Sequence, residues 1–144
     1  MGDVMQESAG IAYTYARRAT AGMGIDADGW EKRHVHVHIP AGAIKKDGPS
    51  AGITMASALI SLARGKKIRQ KLGMTGELSL TGQVLPIGGL KEKTIAARRH
   101  RLKNIVIPKQ NERDLDDIPD NVKKGITFYP VETMDEVLEI IFAK

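Results

Sequence analysis

The sequence predicts an α+β domain, α/β-like in its alternation, with helices packed on mixed sheets. Apolar runs of strand length, "NIVIP" (104–108) and "ITFYPV" (126–131), alternate with segments of helical periodicity. Glycines and prolines punctuate the chain at short intervals, so the connections are brief. A chain of 144 residues, 42% hydrophobic and 27% charged, has the size and composition of one soluble domain with its own core.

The elements follow in order. Residues 3–21 read as a helix, with Val4, Ser8, Ile11 and Tyr15 recurring on one face. "GMGIDADGWEK" (22–32) reads as a loop broken by glycines and acids, with Trp30 as a local packing anchor. "HVHVHIP" (34–40) alternates strictly and stops at proline, the pattern of a strand. Residues 50–64 predict a helix that is apolar nearly all round and therefore buried on most sides. Its exception is a hydroxyl stripe, Ser50, Thr54, Ser57 and Ser61, which suits close packing by small residues. "MTGELSLTGQVLPIGG" (74–89) predicts two short strands joined around Thr81-Gly82. Residues 90–102 predict a helix after Gly88-Gly89, and 104–108 a strand stopped by proline. A polar helical segment over 110–117, a strand over 126–131 and an amphipathic helix over 133–142 complete the chain.

Composition removes several function classes. The absence of cysteine excludes disulfides, thiolate metal sites and cysteine nucleophiles, and fits a reducing compartment. Aromatics at 4% leave little for base-stacking platforms. No apolar run approaches membrane-spanning length, and "MGDVMQESAG" lacks a signal-peptide pattern, so the expectation is a soluble intracellular chain. The formal charge is +5, with basic runs at "RGKKIRQK" (64–71) and "RRHRLK" (98–103). They suit a nucleic-acid surface or a solvated face, and the acids interspersed through the C-terminal third favour the latter. His34, His36 and His38 share one face of the expected strand, but metal sites usually draw ligands from several elements, so no metal is expected there.

"KKDGPSAGIT" (45–54) raises the chemical question. A phosphate loop needs lysine directly after its second glycine; here that lysine is missing, and "GQVLPIGGLKEKT" (82–94) places Leu90 in its position. Gly48-Pro49-Ser50-Ala51-Gly52 matches G-x-S-x-G, yet no strand precedes it directly, and the only downstream histidine is His100 in a basic run. Ser50 thus reads either as a helix cap or as a nucleophile. At a helix start, free N–H groups would favour an oxyanion nearby. As a nucleophile it needs a base, and a lysine serves only when an apolar site keeps it neutral. Lys93 lies on the helical side of Leu90, Ala96 and Ala97, while Lys91 lies nearer Arg98, so periodicity favours Lys93.

"KKDGPSAGIT", "MTGELSLTGQVLPIGGLKEK" and "IPDNV", with "GDVMQESA" at the start, together resemble the proteolytic domain of Lon, the ATP-dependent serine protease. The motifs run in order over nearly the whole chain, and "DGPSAG" is similar to the bacterial and mitochondrial branch. The resemblance implies a ribosomal protein S5 domain 2-like fold. It implies Ser50 as nucleophile and Lys93, the second lysine of "GGLKEK", as base. Thr75 of "MTGE" falls on the residue that orients the lysine. Asp47 falls on an acid that pairs with the lysine in inactive arrangements and would keep it protonated. Glu77 is placed in a supporting position.

The implied reaction is endopeptidase hydrolysis of unfolded proteins or peptides through an acyl-enzyme, without metal or cofactor in this domain. ATP and magnesium would act on an ATPase module that residues 1–144 do not contain; nor do they contain a substrate-recognition domain. The usual proteolytic domain begins some residues earlier, so the stretch resembles one trimmed at its N-terminus. Implied partners are the substrate, the ATPase module and the other subunits of a homo-hexamer, with DNA as a further candidate and no membrane. The implied location is the bacterial cytoplasm, with the mitochondrial matrix as the alternative. The competing function is an S5-like nucleic-acid-binding module that uses the basic runs.

Overall fold

The computed structural model describes residues 2–25, 27–40 and 48–143. A parallel sheet in the order β1-β4-β5 lies between two groups of helices. It comprises β1 (Leu72–Met74), β4 (Asn104–Pro108) and β5 (Thr127–Val131). Leu72 pairs with Asn104, and Asn104 with Thr127. A second, antiparallel sheet joins β2 (Glu77–Leu78) to β3 (Val84–Leu85). The mixed α/β reading therefore holds.

Strand β4 explains the layering. Ile105 and Ile107 face one core, with Leu90, Ala97 and Ile118. Val106, between them, faces the other, with Ile53, Ile60, Val131, Met134 and Ile141. A strand that feeds two cores must be apolar on both sides, which is why "NIVIP" is a continuous run. The first core lies under α4 (Leu90–Arg99), a 3₁₀ helix (Lys109–Asp117) and α5 (Asp120–Lys123). The second lies under α1 (Asp3–Ala21), α3 (Gly52–Arg64) and α6 (Met134–Ile141). Thr133 caps α6 by accepting a hydrogen bond from the Glu136 amide at 3.4 Å.

Several expectations are corrected. The buried face of α1 is Met5, Ser8, Ala12, Tyr15, Ala16 and Thr20, and Val4 is exposed. The alanines turn that face toward α3, because small side chains allow close approach. Within the expected loop, Ala27–Glu31 forms the short helix α2. The Trp30 indole N–H there donates to the buried Thr20 hydroxyl at 2.9 Å, and its ring meets Tyr13 edge-on at 5.5 Å. The anchor is real, but it stands on a helix. Residues 34–40 are extended without strand pairing among the described residues. Val35, Val37 and Ile39 are nonetheless half-buried against α3 while the histidines face outward.

The expected helix at 50–64 begins at Gly52, with Ala51 as its cap residue. The expected strand at 74 is the end of the parallel strand β1, and the hairpin starts at Glu77. Helix α4 ends at Arg99, short of 102, because His100 leaves helical geometry and Arg101 adopts a left-handed φ of 57°. Among the described residues no helix is long and apolar enough to cross a membrane.

Candidate active site

Three segments far apart in sequence converge at the end of β1. Thr75 follows β1 directly and is buried, with its amide donating to the Val106 carbonyl of the central strand at 3.0 Å. The next amide, Gly76 N–H, donates to the Ser50 carbonyl at 2.8 Å. The Ile53 amide in turn donates to the Gly76 carbonyl at 3.1 Å. This reciprocal pair ties the start of α3 to the sheet and draws Ser50 into a turn just before the helix.

Close contact at Gly52 makes that docking possible. A Cβ there would stand 2.8 Å from the Leu78 amide nitrogen and 3.3 Å from the Ser8 hydroxyl oxygen. Only glycine lets α3 begin this near to β2 and α1. The Gly52 amide donates to the Pro49 carbonyl at 3.1 Å. With Gly52 and Ile53 amides both engaged, these two are not the free donors expected of a helix opened by Ser50.

Ser50 and Lys93 line one cavity of about 340 Å³, together with Thr54, Thr75, His100 and apolar walls. Lys93 projects from the first turn of α4 and is half-buried, whereas Lys91 is exposed. Its ammonium or amine donates to the Thr75 hydroxyl at 3.2 Å. That hydroxyl donates to the Ser50 carbonyl at 3.4 Å, so one threonine touches both elements. Burial lowers the Lys93 pKa below the ordinary 10.5, since the charged form loses hydration. Among the described residues no carboxylate forms an ion pair with Lys93. The cavity therefore offers a hydroxyl and an amine biased toward its neutral form, the two groups that nucleophilic catalysis by serine requires.

The remaining sequence candidates sit elsewhere. Asp47 lies outside the described residues. Glu77 is half-buried in β2 and lines a separate, smaller pocket with Ser8 and Pro49. His36 and His38 stack at 6.4 Å beside α3, and among the described residues no three His, Asp or Glu side chains gather around a potential metal position. The hydroxyl stripe of α3 faces β1: Thr54 donates to the Met74 carbonyl at 3.4 Å and Ser57 contacts the Met74 sulfur at 3.5 Å. Sequence reasoning passed over His100 as part of a basic run. Its signal was the spacing Lys93, Ala96–Ala97, His100, one face of a helix.

The sheet-and-helix framework thus brings a serine and a half-buried lysine to one cavity. A family model of the Lon protease (S16) C-terminal proteolytic domain matches residues 1–144, and the chain belongs to that family. It is 61% identical over its full length to the Lon protease of Treponema pallidum, covering 16% of that protein. It is 54% identical to the Lon protease of Brevibacillus choshinensis, covering all of this chain and 18% of that one. It is 53% identical to Lon protease 1 of Bacillus subtilis, over 96% of this chain and 18% of that one. The chain thus spans less than a fifth of the length of these relatives. Their names speak for a protease, and nothing in them supports the nucleic-acid-binding alternative.

Proposed function

We propose that the chain hydrolyses peptide bonds as a serine endopeptidase, with Ser50 as nucleophile and Lys93 as general base. The observation that carries this reading is Lys93: half-buried, lowered in pKa by desolvation, held by Thr75 and sharing a cavity with Ser50. Neutral Lys93 takes the Ser50 proton as Oγ attacks the scissile carbonyl carbon. The tetrahedral intermediate collapses as Lys93 returns the proton to the leaving amine, leaving an acyl-Ser50 ester. Water then gives a proton to Lys93 as it attacks the ester, and Lys93 passes that proton to the departing Ser50 Oγ, which releases the acid and restores both residues. Thr75 is a positioning residue, since its hydroxyl aims the Lys93 nitrogen. Asp47 is assigned the opposite duty: a carboxylate brought near Lys93 favours its charged form and silences the base. Glu77 supports the segment that carries Thr75.

By this reading the chain is the proteolytic part of an ATP-dependent protease, fed unfolded chains by an ATPase module and assembled in the parent protein as a hexamer. The S5 domain 2-like fold and the cytoplasmic location belong to the same proposal. The test is covalent trapping with a peptide boronate, alongside Ser50→Ala, Lys93→Ala and Lys91→Ala. The adduct is expected on Ser50, with turnover lost at Ser50 and Lys93 and largely kept at Lys91. An adduct elsewhere, or equal losses at Lys91 and Lys93, would contradict the assignment.

A further inference from the structure

We propose that Asn111 is a positioning residue for the reaction: its carboxamide clamps the segment that opens α4 and thereby sets where Lys93 stands against Thr75. The inference rests on the peptidase reading above.

The clamp uses every polar atom the side chain has. Asn111 lies in the 3₁₀ helix Lys109–Asp117, is 3% exposed, and is the only buried carboxamide among the described residues. Its Oδ1 accepts from the Ile87 amide at 2.9 Å, and its Nδ2 donates to the Ile87 carbonyl at 2.8 Å. Nδ2 also donates to an Asp114 carboxylate oxygen at 2.7 Å. One side chain thus answers both backbone groups of a residue 24 positions away, as a neighbouring strand would. Only one orientation of the amide serves. Turned over, its NH2 would face the Ile87 N–H, and its oxygen would face a carbonyl and a carboxylate.

Ile87 is where the approach to α4 needs a hold. Between it and the helix stand Gly88 and Gly89, which have no side chains to pack, and Gly89 turns through a left-handed φ of 73°. No side chain caps the helix among the described residues. The Gly89 carbonyl accepts from the Lys93 amide at 3.0 Å, so the path of the glycines decides where Lys93 sits. On the far side Leu90 is buried, and its carbonyl accepts from the Thr94 hydroxyl at 2.7 Å. The Lys93 backbone is therefore fixed from two sides, by Leu90 in the core and by the clamp ahead of the glycines.

Strand β4 is the common reference. Its Val106 carbonyl holds the Thr75 amide at 3.0 Å, and the 3₁₀ helix that carries Asn111 begins directly after Pro108, where the strand ends. Both partners of the Lys93–Thr75 bond are thus referred to one strand, Thr75 directly and Lys93 through Asn111 and Ile87. That bond is 3.2 Å long, at the upper end of the ordinary range, so a further shift of about 0.5 Å breaks it. The cavity lining includes neither Asn111 nor Ile87, so the clamp acts on Lys93 and not on bound peptide.

The test compares Asn111→Ala and Asn111→Asp with the unaltered chain, on a fluorogenic peptide with leucine before the scissile bond and on the matching peptide boronate. The aspartate keeps the acceptor for the Ile87 amide but turns a second acceptor toward the Ile87 carbonyl and Asp114. Both changes are expected to lower kcat about tenfold or more and to slow boronate trapping alike, with KM within about twofold. Ile118→Val is the control: it thins the same core, and should lower the Tm while holding kcat within about twofold. An unchanged kcat, or a loss carried by KM, in the folded Asn111 variants overturns the inference. So does an equal kcat loss in Ile118→Val at the same loss of Tm, which marks general destabilisation. If both Asn111 variants unfold, Asp114→Ala decides: freeing the outer amide hydrogen should cut kcat about threefold with KM unchanged, and an unchanged kcat overturns the inference. No turnover by the unaltered chain, with no boronate adduct on Ser50, refutes the peptidase reading itself.

Discussion

Replacing Gly52 by alanine tests the docking that positions Ser50. The added methyl would lie 2.8 Å from the Leu78 amide nitrogen and 3.2 Å from Leu78 Cβ. Backbone in β2 cannot swing aside as a side-chain tip can, so α3 or the hairpin must shift. Overpacking of this kind costs about 1–3 kcal/mol. Alanine returns up to about 1 kcal/mol through helix propensity. The net loss is about 1–2 kcal/mol. For a domain of this size, with an unfolding entropy of about 0.3 kcal/mol/K, the Tm falls by about 3–6 °C. Thermal unfolding followed by circular dichroism measures it. Because Ser50 is two residues away and its carbonyl is bonded to Gly76, kcat/KM should fall further than the folded fraction does at the assay temperature. A Tm equal to or above that of the unaltered chain would refute the steric reasoning.

Thr75→Val keeps shape but deletes the hydroxyl that receives the Lys93 hydrogen bond, so kcat/KM should drop about tenfold to a hundredfold; boronate trapping rates check it, and undiminished trapping would remove Thr75 from its positioning role. Burial depresses the Lys93 pKa, so kcat/KM should rise with pH through a midpoint below 10.5, and a stopped-flow pH profile with its midpoint at or above that value contradicts this. The same depression has a stability consequence of known sign. Between the folded and unfolded pKa the unfolded chain binds more protons, so this residue's contribution rises with pH and is unfavourable below the folded pKa. Lys93→Met should therefore melt no lower than the unaltered chain at pH 7, with any advantage shrinking as pH rises; a lower Tm at pH 7 counts against it. Arg101 holds a φ of 57°, which costs an L-residue about 1–2 kcal/mol, while glycine adds about 0.5–1 kcal/mol of unfolded freedom. Arg101→Gly should thus stabilise by about 0.5–1 kcal/mol in urea melts, and a destabilised variant would show that the arginine side chain outweighs the strain.

Where local pattern reports local burial, the sequence was readable. "NIVIP" was read as a strand, and it is one, while the apolar helix over 50–64 announced burial on most sides. The alternation of 34–40 correctly separated half-buried Val35, Val37 and Ile39 from outward histidines, but alternation encodes facing and not pairing. Where position depends on a distant partner, the reading slipped. The start of α3 moved from Ser50 to Gly52 because Gly76, far along the chain, holds Ser50 in a turn. Met74 was read into the hairpin because its parallel partner, Val106, lies across an intervening hairpin and helix. Lys93 was favoured over Lys91 by periodicity alone, and Lys93 is the one on the cavity. His100 escaped notice because a basic neighbourhood hides a spacing that only the folded helix makes visible.

The single threonine between Ser50 and Lys93 has a consequence for biosynthesis. Its hydroxyl reaches across 25 residues to the serine and 18 to the lysine, so the three groups meet only after two chain loops have closed on the parallel sheet. Non-local pairings of this kind form late. On the proposed reading, a molecule that digests unfolded chains is itself inert while unfolded.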